Sequence, residues 1–570
     1  MKWTDWTPRT VARWFFDSQN GPKGRFLPRW LFLRCLGIIY FSAFYSLIFQ
    51  IRGLIGPEGI LPASAYLKSV AEQLGHFRFW YAPTVFWLSS SGRMLAMVCW
   101  VGLLAAILLV LNFWPRGMLL VCFACFLSFV AAAGDFSGYQ SDGMLLEAGF
   151  LSLFFAPAGF RPGLGVSRPP VRAALYLLIW EWFRIYFESG VAKIVSGDPQ
   201  WRNFTALDDY YQNGPLPTWI GWYAAHLPHW FHQFTTGLTL GLELCLIWAT
   251  FLPRRFRIIL FFVVTPWQLG IILTANYTFL NYLVLVLGFL LLDDRFLRSF
   301  FPASWKKELP ERAAQSSDFG ALPESAPLSL ISAATHVPAT NLTQATDSES
   351  RGRGGGGWTE FRRHLAPIRI AVVAILLLWI FYAATVQIIW TIGPVPFPTT
   401  PVSLLDPFRI ANRYGLFAVM TRARYEIEFQ GSNDGQTWTA YPFRHKPQAL
   451  DKPPRIYAPY QPRLDWNLWF ASLGEWRDNP MVVRTEWRLL ANDRDVLSLF
   501  AANPFSQAPP RYLRAVLWQY WFTSVKEKRA TGDWWRRQFL GLYAPEFEQH
   551  PDGKVEVIEW PDAAATLHHD

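Results

Sequence analysis

The sequence has few charged residues for its length. Asp, Glu, Lys and Arg make up 16% of the chain, against about 25% in soluble globular proteins. Hydrophobic residues reach 52%, and several apolar runs approach the roughly 20 residues that a membrane-spanning helix needs. This composition excludes an ordinary soluble domain and predicts an α-helical multi-pass membrane protein.

Cysteine and the common catalytic motifs are also scarce. The cysteines lie in or beside apolar runs and residues 393–570 contain none, which argues against a disulfide framework. There is no Gly-x-Ser-x-Gly elbow, no phosphate-binding glycine loop and no His-Glu-x-x-His. His226, His229 and His232 favour an interfacial loop over a zinc site, because Pro228 interrupts the series. We therefore predict no metal and no cofactor. We also predict no nucleic-acid partner, because the formal net charge of +10 follows the positive-inside pattern of a membrane protein.

The apolar runs and the loop charges together predict a topology. About nine spans are predicted, at residues 30–51, 94–113, 117–133, 144–158, 171–188, 234–252, 256–274, 277–292 and 368–392. The fourth is short, so a re-entrant or tilted course is an alternative. With the N-terminus inside, the inside loops contain most of the loop arginines, and the outside turns 134–143 and 275–276 contain no Lys or Arg. The positive-inside rule therefore predicts the N-terminus inside and the C-terminus outside.

Composition divides the chain into five parts. They are a basic amphipathic N-terminus (1–30), an eight-span membrane bundle (31–292), a cytoplasmic low-complexity linker (293–367), the last span (368–392) and an outward β-rich C-terminal domain (393–570). Residues 313–357 are rich in Ser, Ala, Pro and Thr and end in a glycine run, so they are expected to stay flexible. We expect no cleaved signal peptide, because the basic N-terminus leads into a long apolar run without a small-residue cleavage site.

The C-terminal part is predicted from its own patterns. Alternation of apolar and charged residues indicates a strand at 425–429, followed by a turn at 431–435 and a return strand at 438–443. Residues 465–470 and 495–501 are typical of short helices, and 511–523 of a further strand. The expected product is a small β-rich module on the outer membrane surface.

The segment 181–211 carries charges into an apolar helix. Glu181, Arg184 and Glu188 recur at i, i+3 and i+7, which places them on one helix face. Charges at bilayer depth usually face a bundle interior, so this face is predicted to look inward, as are Glu147 and Glu243. Two interpretations stay open: an ion-pair face that orients the helix, or a functional site at the membrane boundary. For the second, the candidate groups are Lys193, Glu188 and Asp135.

Short motifs along the chain resemble the lipase maturation factor family. They are GVAK (190–193), GDPQWRN (197–203), TAL (205–207), PLP (215–217), WY (222–223), HLP (226–228), TANY (274–277), APYQPRLDW (458–466), NPF (503–505) and PPRY (509–512). The resemblance implies a non-catalytic membrane protein that helps secreted lipases fold and assemble into active dimers. It implies the endoplasmic reticulum membrane in a eukaryote, with the C-terminal part in the lumen. The equivalent site in a bacterium is the cytoplasmic membrane.

In that function the partners are membrane lipid and secreted clients such as lipases. Aromatic residues suit an amphipathic contact surface at a membrane interface. The residues predicted to contact a client are Trp201, Arg202, Tyr210, Tyr211 and Trp222.

A second resemblance supplies the alternative function. Residues 187–193 (FESGVAK) are similar to the stretch of vitamin K-dependent γ-glutamyl carboxylase that holds its base lysine. Lys193 stands in the base position, and Ala192 replaces a second lysine. The alternative is therefore an integral-membrane enzyme that uses Lys193 as a base, with Glu188 or Asp135, around a lipid-soluble cofactor.

Overall fold

A computed structural model describes residues 7–309 and 356–562. Each predicted span overlaps one of nine helices, which are Phe26–Ile48, Gly92–Val110, Pro115–Val130, Gln140–Phe155, Arg172–Val195, His229–Leu244, Arg254–Thr274, Leu280–Gly288 and Gly356–Ile392. The shorter α-helices up to residue 309 are Pro8–Phe16, Ile51–Ile55, Ala63–Leu74, Arg78–Tyr81, Pro199–Arg202, Ala206–Asn213, Trp219–Ala225, Asp294–Leu297 and Ala303–Glu308, the last two of which lie inside the predicted linker. Most of the flexible segment predicted at 313–357 lies outside the described residues.

Five of the described helices are long and apolar enough to cross a membrane. They are Phe26–Ile48, Gly92–Val110, His229–Phe251 (the helix His229–Leu244 with the 3₁₀ turn Leu246–Phe251 that follows it), Arg254–Thr274 and Pro367–Ile392, the apolar part of the last helix. Pro115–Val130 and Leu280–Leu291 are apolar but shorter. The helices Gln140–Phe155 and Arg172–Val195 contain buried acidic and basic side chains. The protein is therefore membrane-embedded, while the count of nine spans stays a prediction.

The bundle has a basic end opposite the C-terminal domain. At the basic end Arg25 donates to the carbonyl of Leu290 at 2.9 Å, and Arg29 donates to that of Arg168 at 2.8 Å. The helix Phe26–Ile48 starts there, and just beyond its other end Gln50 donates to the carbonyl of Gln461 at 2.9 Å. One helix thus connects the basic loops to the C-terminal domain.

The C-terminal domain is built on an antiparallel sheet. Its strands are β1 (Arg424–Ser432), β2 (Thr439–Ala440), β3 (Tyr512–Phe522), β4 (Trp535–Leu542), β5 (Glu546–Gln549) and β6 (Val555–Glu559). The order is β2-β1-β3-β5-β6, with β4 also paired to β3, and Ile427 of β1 lies opposite Leu517 of β3. The helices of this part are Thr400–Ser403, Arg463–Ala471, Pro480–Leu490, Arg494–Leu497 and Val525–Thr531.

The strands predicted at 425–429 and 511–523 and the helix predicted at 465–470 are confirmed by β1, β3 and Arg463–Ala471. Two other predicted elements are shorter than expected. The return strand keeps only Thr439–Ala440. The Tyr441 N–H makes one further bond to the Phe429 carbonyl at 2.9 Å, and the Tyr441 carbonyl then accepts from the Gln448 side chain at 3.2 Å, which ends the ladder. The second helix covers only Arg494–Leu497. In the turn before β2, the carboxylate of Asp434 accepts backbone N–H groups from Gln436 at 2.8 Å and Thr437 at 2.7 Å. These bonds hold the pKa of Asp434 well below its ordinary value.

Residues 410–421, which we call the strap, run along the bundle before β1 begins. The side chain of Tyr414 in the strap is fully buried. Gly143 permits this close approach, since a Cβ there would lie 2.7 Å from the side-chain oxygen of Asn412. The chain after residue 392 therefore does not only rest on the membrane surface, because part of it enters the packing of the bundle.

Candidate functional site

The charges predicted for one face of the helix Arg172–Val195 are buried inside the bundle. Glu181, Arg184 and Glu188 are each 0% exposed. The guanidinium of Arg184 pairs with Glu147 of the neighbouring helix Gln140–Phe155. Its other terminal nitrogen lies 3.7 Å from Glu188. One arginine therefore stands between two carboxylates from two helices.

The strap supplies the remaining hydrogen bonds of this cluster. The Tyr414 hydroxyl and the Asn412 backbone N–H donate to the same oxygen of Glu147, at 2.9 and 3.0 Å. The Tyr414 N–H donates to Glu188 at 2.6 Å, and Arg184 donates to the Asn412 carbonyl at 2.7 Å. Because buried charges need both a counter-charge and hydrogen bonds, the strap is part of the charge cluster.

Lys193 is paired with an acid other than the two predicted for it. Its ammonium donates to the two oxygens of Glu243 at 2.8 and 3.0 Å and to the Leu416 carbonyl of the strap at 3.0 Å. A longer contact reaches the Ser189 carbonyl at 3.4 Å. Gly190 brings the helix of Glu243 close, since a Cβ on it would lie 2.9 Å from that of Glu243.

The other two candidates for chemistry lie elsewhere. Glu188 is held by Arg184 and the strap. Asp135 is exposed in the turn after Pro115–Val130. The set of Lys193, Glu188 and Asp135 is therefore not gathered at one point. Within residues 7–309 and 356–562, no three His, Cys, Asp or Glu side chains are grouped to hold a metal ion.

The aromatic loop that follows is mostly buried. Trp201, Tyr211 and Trp222 are 3%, 8% and 1% exposed, while Tyr210 is half-buried and Arg202 is exposed. The Trp201 indole N–H donates to the carbonyl of Phe417 in the strap at 2.9 Å. The Trp222 ring packs against Trp534, with centroids 5.3 Å apart. The loop therefore forms the joint between the bundle and the sheet, whereas the predicted client surface requires exposed rings.

A buried ion pair that the sequence did not suggest fixes the C-terminal domain to the bundle. Arg463 donates to both oxygens of Asp142, at 2.8 and 2.9 Å, and to the Phe136 carbonyl at 2.6 Å. Its backbone N–H donates to Gln50 at 2.8 Å. Arg463 is 0% exposed, as is Asp142. The sequence did show Asp142 as an acid in a polar turn beside a predicted span. It could not show the pairing, because Arg463 lies 321 residues further along the chain.

A second junction is made by one asparagine side chain. The Asn276 oxygen accepts the N–H groups of Tyr457 at 2.7 Å and Ala458 at 3.1 Å. Its amide group donates to the carbonyls of Arg455 at 2.8 Å and Leu216 at 3.1 Å. Three separate segments therefore meet at this residue, which the sequence motif 274–277 had marked only by resemblance.

These features define a class: an integral membrane protein whose interior charges are completed by a strap, and whose bundle is locked to a β-sheet domain. A family model described as the lipase maturation factor transmembrane domain matches residues 27–299. A second, the lipase maturation factor C-terminal domain, matches residues 410–545, from the start of the strap into the sheet.

Individual relatives agree with the family models. The chain is 32% identical to lipase maturation factor 2 of Gallus gallus, over 91% of this chain and 81% of the relative. Identity to the Homo sapiens lipase maturation factor 2 is also 32%, over 92% and 83%. It is 30% to lipase maturation factor 1 of Bos taurus, over 94% and 91%. No solved structure matches the chain. The chain belongs to the lipase maturation factor family.

Proposed function

We propose that this chain is a non-catalytic maturation factor that helps secreted lipases fold and assemble. The name shared by its relatives supports a lipase client. The observation that carries the non-catalytic part is the engagement of Lys193. A general base needs a free lone pair, whereas this ammonium donates to Glu243 and to the Leu416 carbonyl. Such bonds favour a charged lysine with a structural function.

The rival enzyme function can be separated from this proposal by removing both charges together. In Lys193→Met the carboxylate of Glu243, whose side chain is only 12% exposed, stays without its partner, so we expect less folded protein. In Lys193→Met with Glu243→Leu neither charge is left, so we expect abundance to recover. The measurement is lipase activity secreted by cells that lack the protein and are complemented with each version at measured membrane abundance.

The two functions give opposite results for the double variant. A maturation factor should restore secretion of active lipase when the double variant reaches normal abundance. If the double variant is abundant but the cells that carry it secrete no active lipase, the result favours an enzyme that needs Lys193 for catalysis, and our proposal is wrong. If even the wild-type chain changes nothing, a lipase is not the client.

We propose further that the C-terminal domain lies outside, in the endoplasmic reticulum lumen of a eukaryote or the periplasm of a bacterium. The nine-span topology and the five-part domain division belong to this proposal. Its support is that Arg25 and Arg29 mark one end of the bundle and Gln50, which contacts the C-terminal part, marks the other. Basic loops stay on the cytoplasmic side.

A glycan acceptor tests this orientation. Residues 552–554 form an exposed turn between β5 and β6. Asp552→Asn with Lys554→Thr creates an acceptor sequence there. When this variant is made in a eukaryotic cell, we expect a slower gel band that returns to its former position after glycosidase treatment. Asp552→Asn alone is the matched control, because it has no acceptor threonine. A variant that stays unmodified while folded would place the domain in the cytoplasm.

Client contact at the aromatic loop is also a proposal. The buried rings of Trp201 and Trp222 hold the joint, so contact requires the exposed residues of the same region. Those include Arg202, Trp219 and Tyr223, of which the two aromatic residues are 44% and 54% exposed. Exposed aromatic rings provide large contact areas at little conformational cost.

A further inference from the structure

An apolar cavity lies beside the Lys193–Glu243 pair. It has a volume of about 370 Å³, within the range of sites that bind small molecules. The helix Arg172–Val195 forms one wall, and His229–Leu244, Arg254–Thr274 and Leu280–Gly288 contribute others. Most of its lining is apolar and includes Phe231, Trp267, Ile271 and Val284. Such a lining suits a hydrocarbon chain.

Two buried amide side chains in the lining each have one atom without a hydrogen-bond partner. Asn281 is 5% exposed and its side-chain nitrogen bonds to nothing; Gln268 is 4% exposed and the same is true of its side-chain oxygen. The Gln268 nitrogen is in use, since it donates to the Tyr186 hydroxyl at 2.7 Å. Unpartnered buried polar atoms are rare in folded proteins. The cavity therefore offers one free donor and one free acceptor.

The charges at the cavity favour an uncharged ligand. Lys193 and Glu243 both line it, but they neutralise each other, and the ammonium also donates to the Leu416 carbonyl. An ionised head group would have to be desolvated without a free counter-charge, which is unfavourable. A neutral head group that accepts from Asn281 and donates to Gln268 satisfies both amides.

The cavity has a route from the bilayer. Gly270 lines it and is exposed, and a Cβ at this position would meet no atom within 4 Å. Its helix, Arg254–Thr274, is one of those able to cross a membrane and exposes Phe262 and Leu273 at 53% and 48%. A chain leaving the cavity past Gly270 therefore enters lipid.

We propose that this cavity binds one neutral single-chain lipid whose head group carries both a carbonyl and a hydroxyl, as a monoacylglycerol does. The carbonyl accepts from Asn281, the hydroxyl donates to Gln268, and the acyl chain leaves past Gly270. This site is independent of the client proposed above, since it rests only on the cavity and its amides.

Binding of 1-oleoylglycerol to the purified full-length protein in detergent tests the site. Native mass spectrometry should show a single saturable adduct. Gly270→Leu adds a side chain into the mouth and should weaken binding at least about tenfold. The matched control is Gly241→Leu, since Gly241 is also an exposed helical glycine with open space at its Cβ but does not line the cavity. Equal binding by both variants, or binding that does not saturate, would overturn the proposal.

The head group is tested separately. Asn281→Leu keeps the approximate size of the side chain but removes the donor, so affinity should fall about tenfold, the equivalent of one hydrogen bond. Each variant is first checked for a wild-type unfolding temperature, and Gly270→Leu decides the outcome if Asn281→Leu does not fold. Oleate and lysophosphatidylcholine serve as charged competitors with the same kind of tail. If either competitor removes the 1-oleoylglycerol adduct when present at a lower concentration than 1-oleoylglycerol itself, the neutral head group is contradicted.

Discussion

Arg184→Met should unfold most of the protein at temperatures that the wild type withstands. The substitution leaves Glu147 and Glu188 buried without the guanidinium that stands between them. Removing one member of a buried ion pair costs about 3–5 kcal/mol, a large share of the roughly 5–15 kcal/mol that stabilises a typical folded domain. The measurement is the heat-unfolding midpoint of the purified protein in detergent, together with its yield from the membrane.

A neighbouring arginine provides the control. Arg413 is exposed and donates to the Thr391 hydroxyl, so Arg413→Met should change the midpoint little. Adding Glu147→Gln to Arg184→Met removes one unpaired charge but keeps an oxygen for the strap, and should restore part of the loss. A wild-type midpoint for Arg184→Met alone would show that the buried cluster does not stabilise the bundle.

The elements of the bundle were predictable because their signals are local. A run of apolar residues predicts a membrane helix at the same positions, as at Phe26–Ile48. The spacing of Glu181, Arg184 and Glu188 likewise reports a single face whatever lies opposite. In the sheet, alternation over 425–429 and 511–523 was enough to locate β1 and β3. Strands β4 to β6 were not predicted.

Partners across the fold were not predictable, because no local pattern contains them. The motif around Lys193 shows Glu188 five residues earlier, whereas the acid that binds it, Glu243, lies 50 residues later on another helix. The burial of the aromatic loop was not predictable for a related reason. Trp201 and Trp222 suit an exposed interface and a buried joint equally well, and only the position of the strap and the sheet decides between them.

Arg463→Leu should separate the C-terminal domain from the bundle. Asp142 would keep its buried charge but lose both bonds of the bidentate pair, and the Phe136 carbonyl would lose a donor. We again expect the free energy of unfolding to fall by about 3–5 kcal/mol. The unfolding midpoint should be lower, and protease should cleave faster between the helix Gly356–Ile392 and β1. Arg463→Lys should recover little, because one ammonium cannot replace the planar two-point contact.

Two further variants decide whether this pair acts as a lock between the two parts. Arg477→Leu is the control, since Arg477 pairs with Glu475 at an exposed site, where ion pairs contribute little. Adding Asp142→Leu to Arg463→Leu removes the stranded charge. The midpoint should then rise above that of the single variant, while the missing contacts between the parts keep cleavage fast. If Arg463→Leu is cleaved as slowly as the wild type, the domain is held by other contacts, with Asn276 the first to examine.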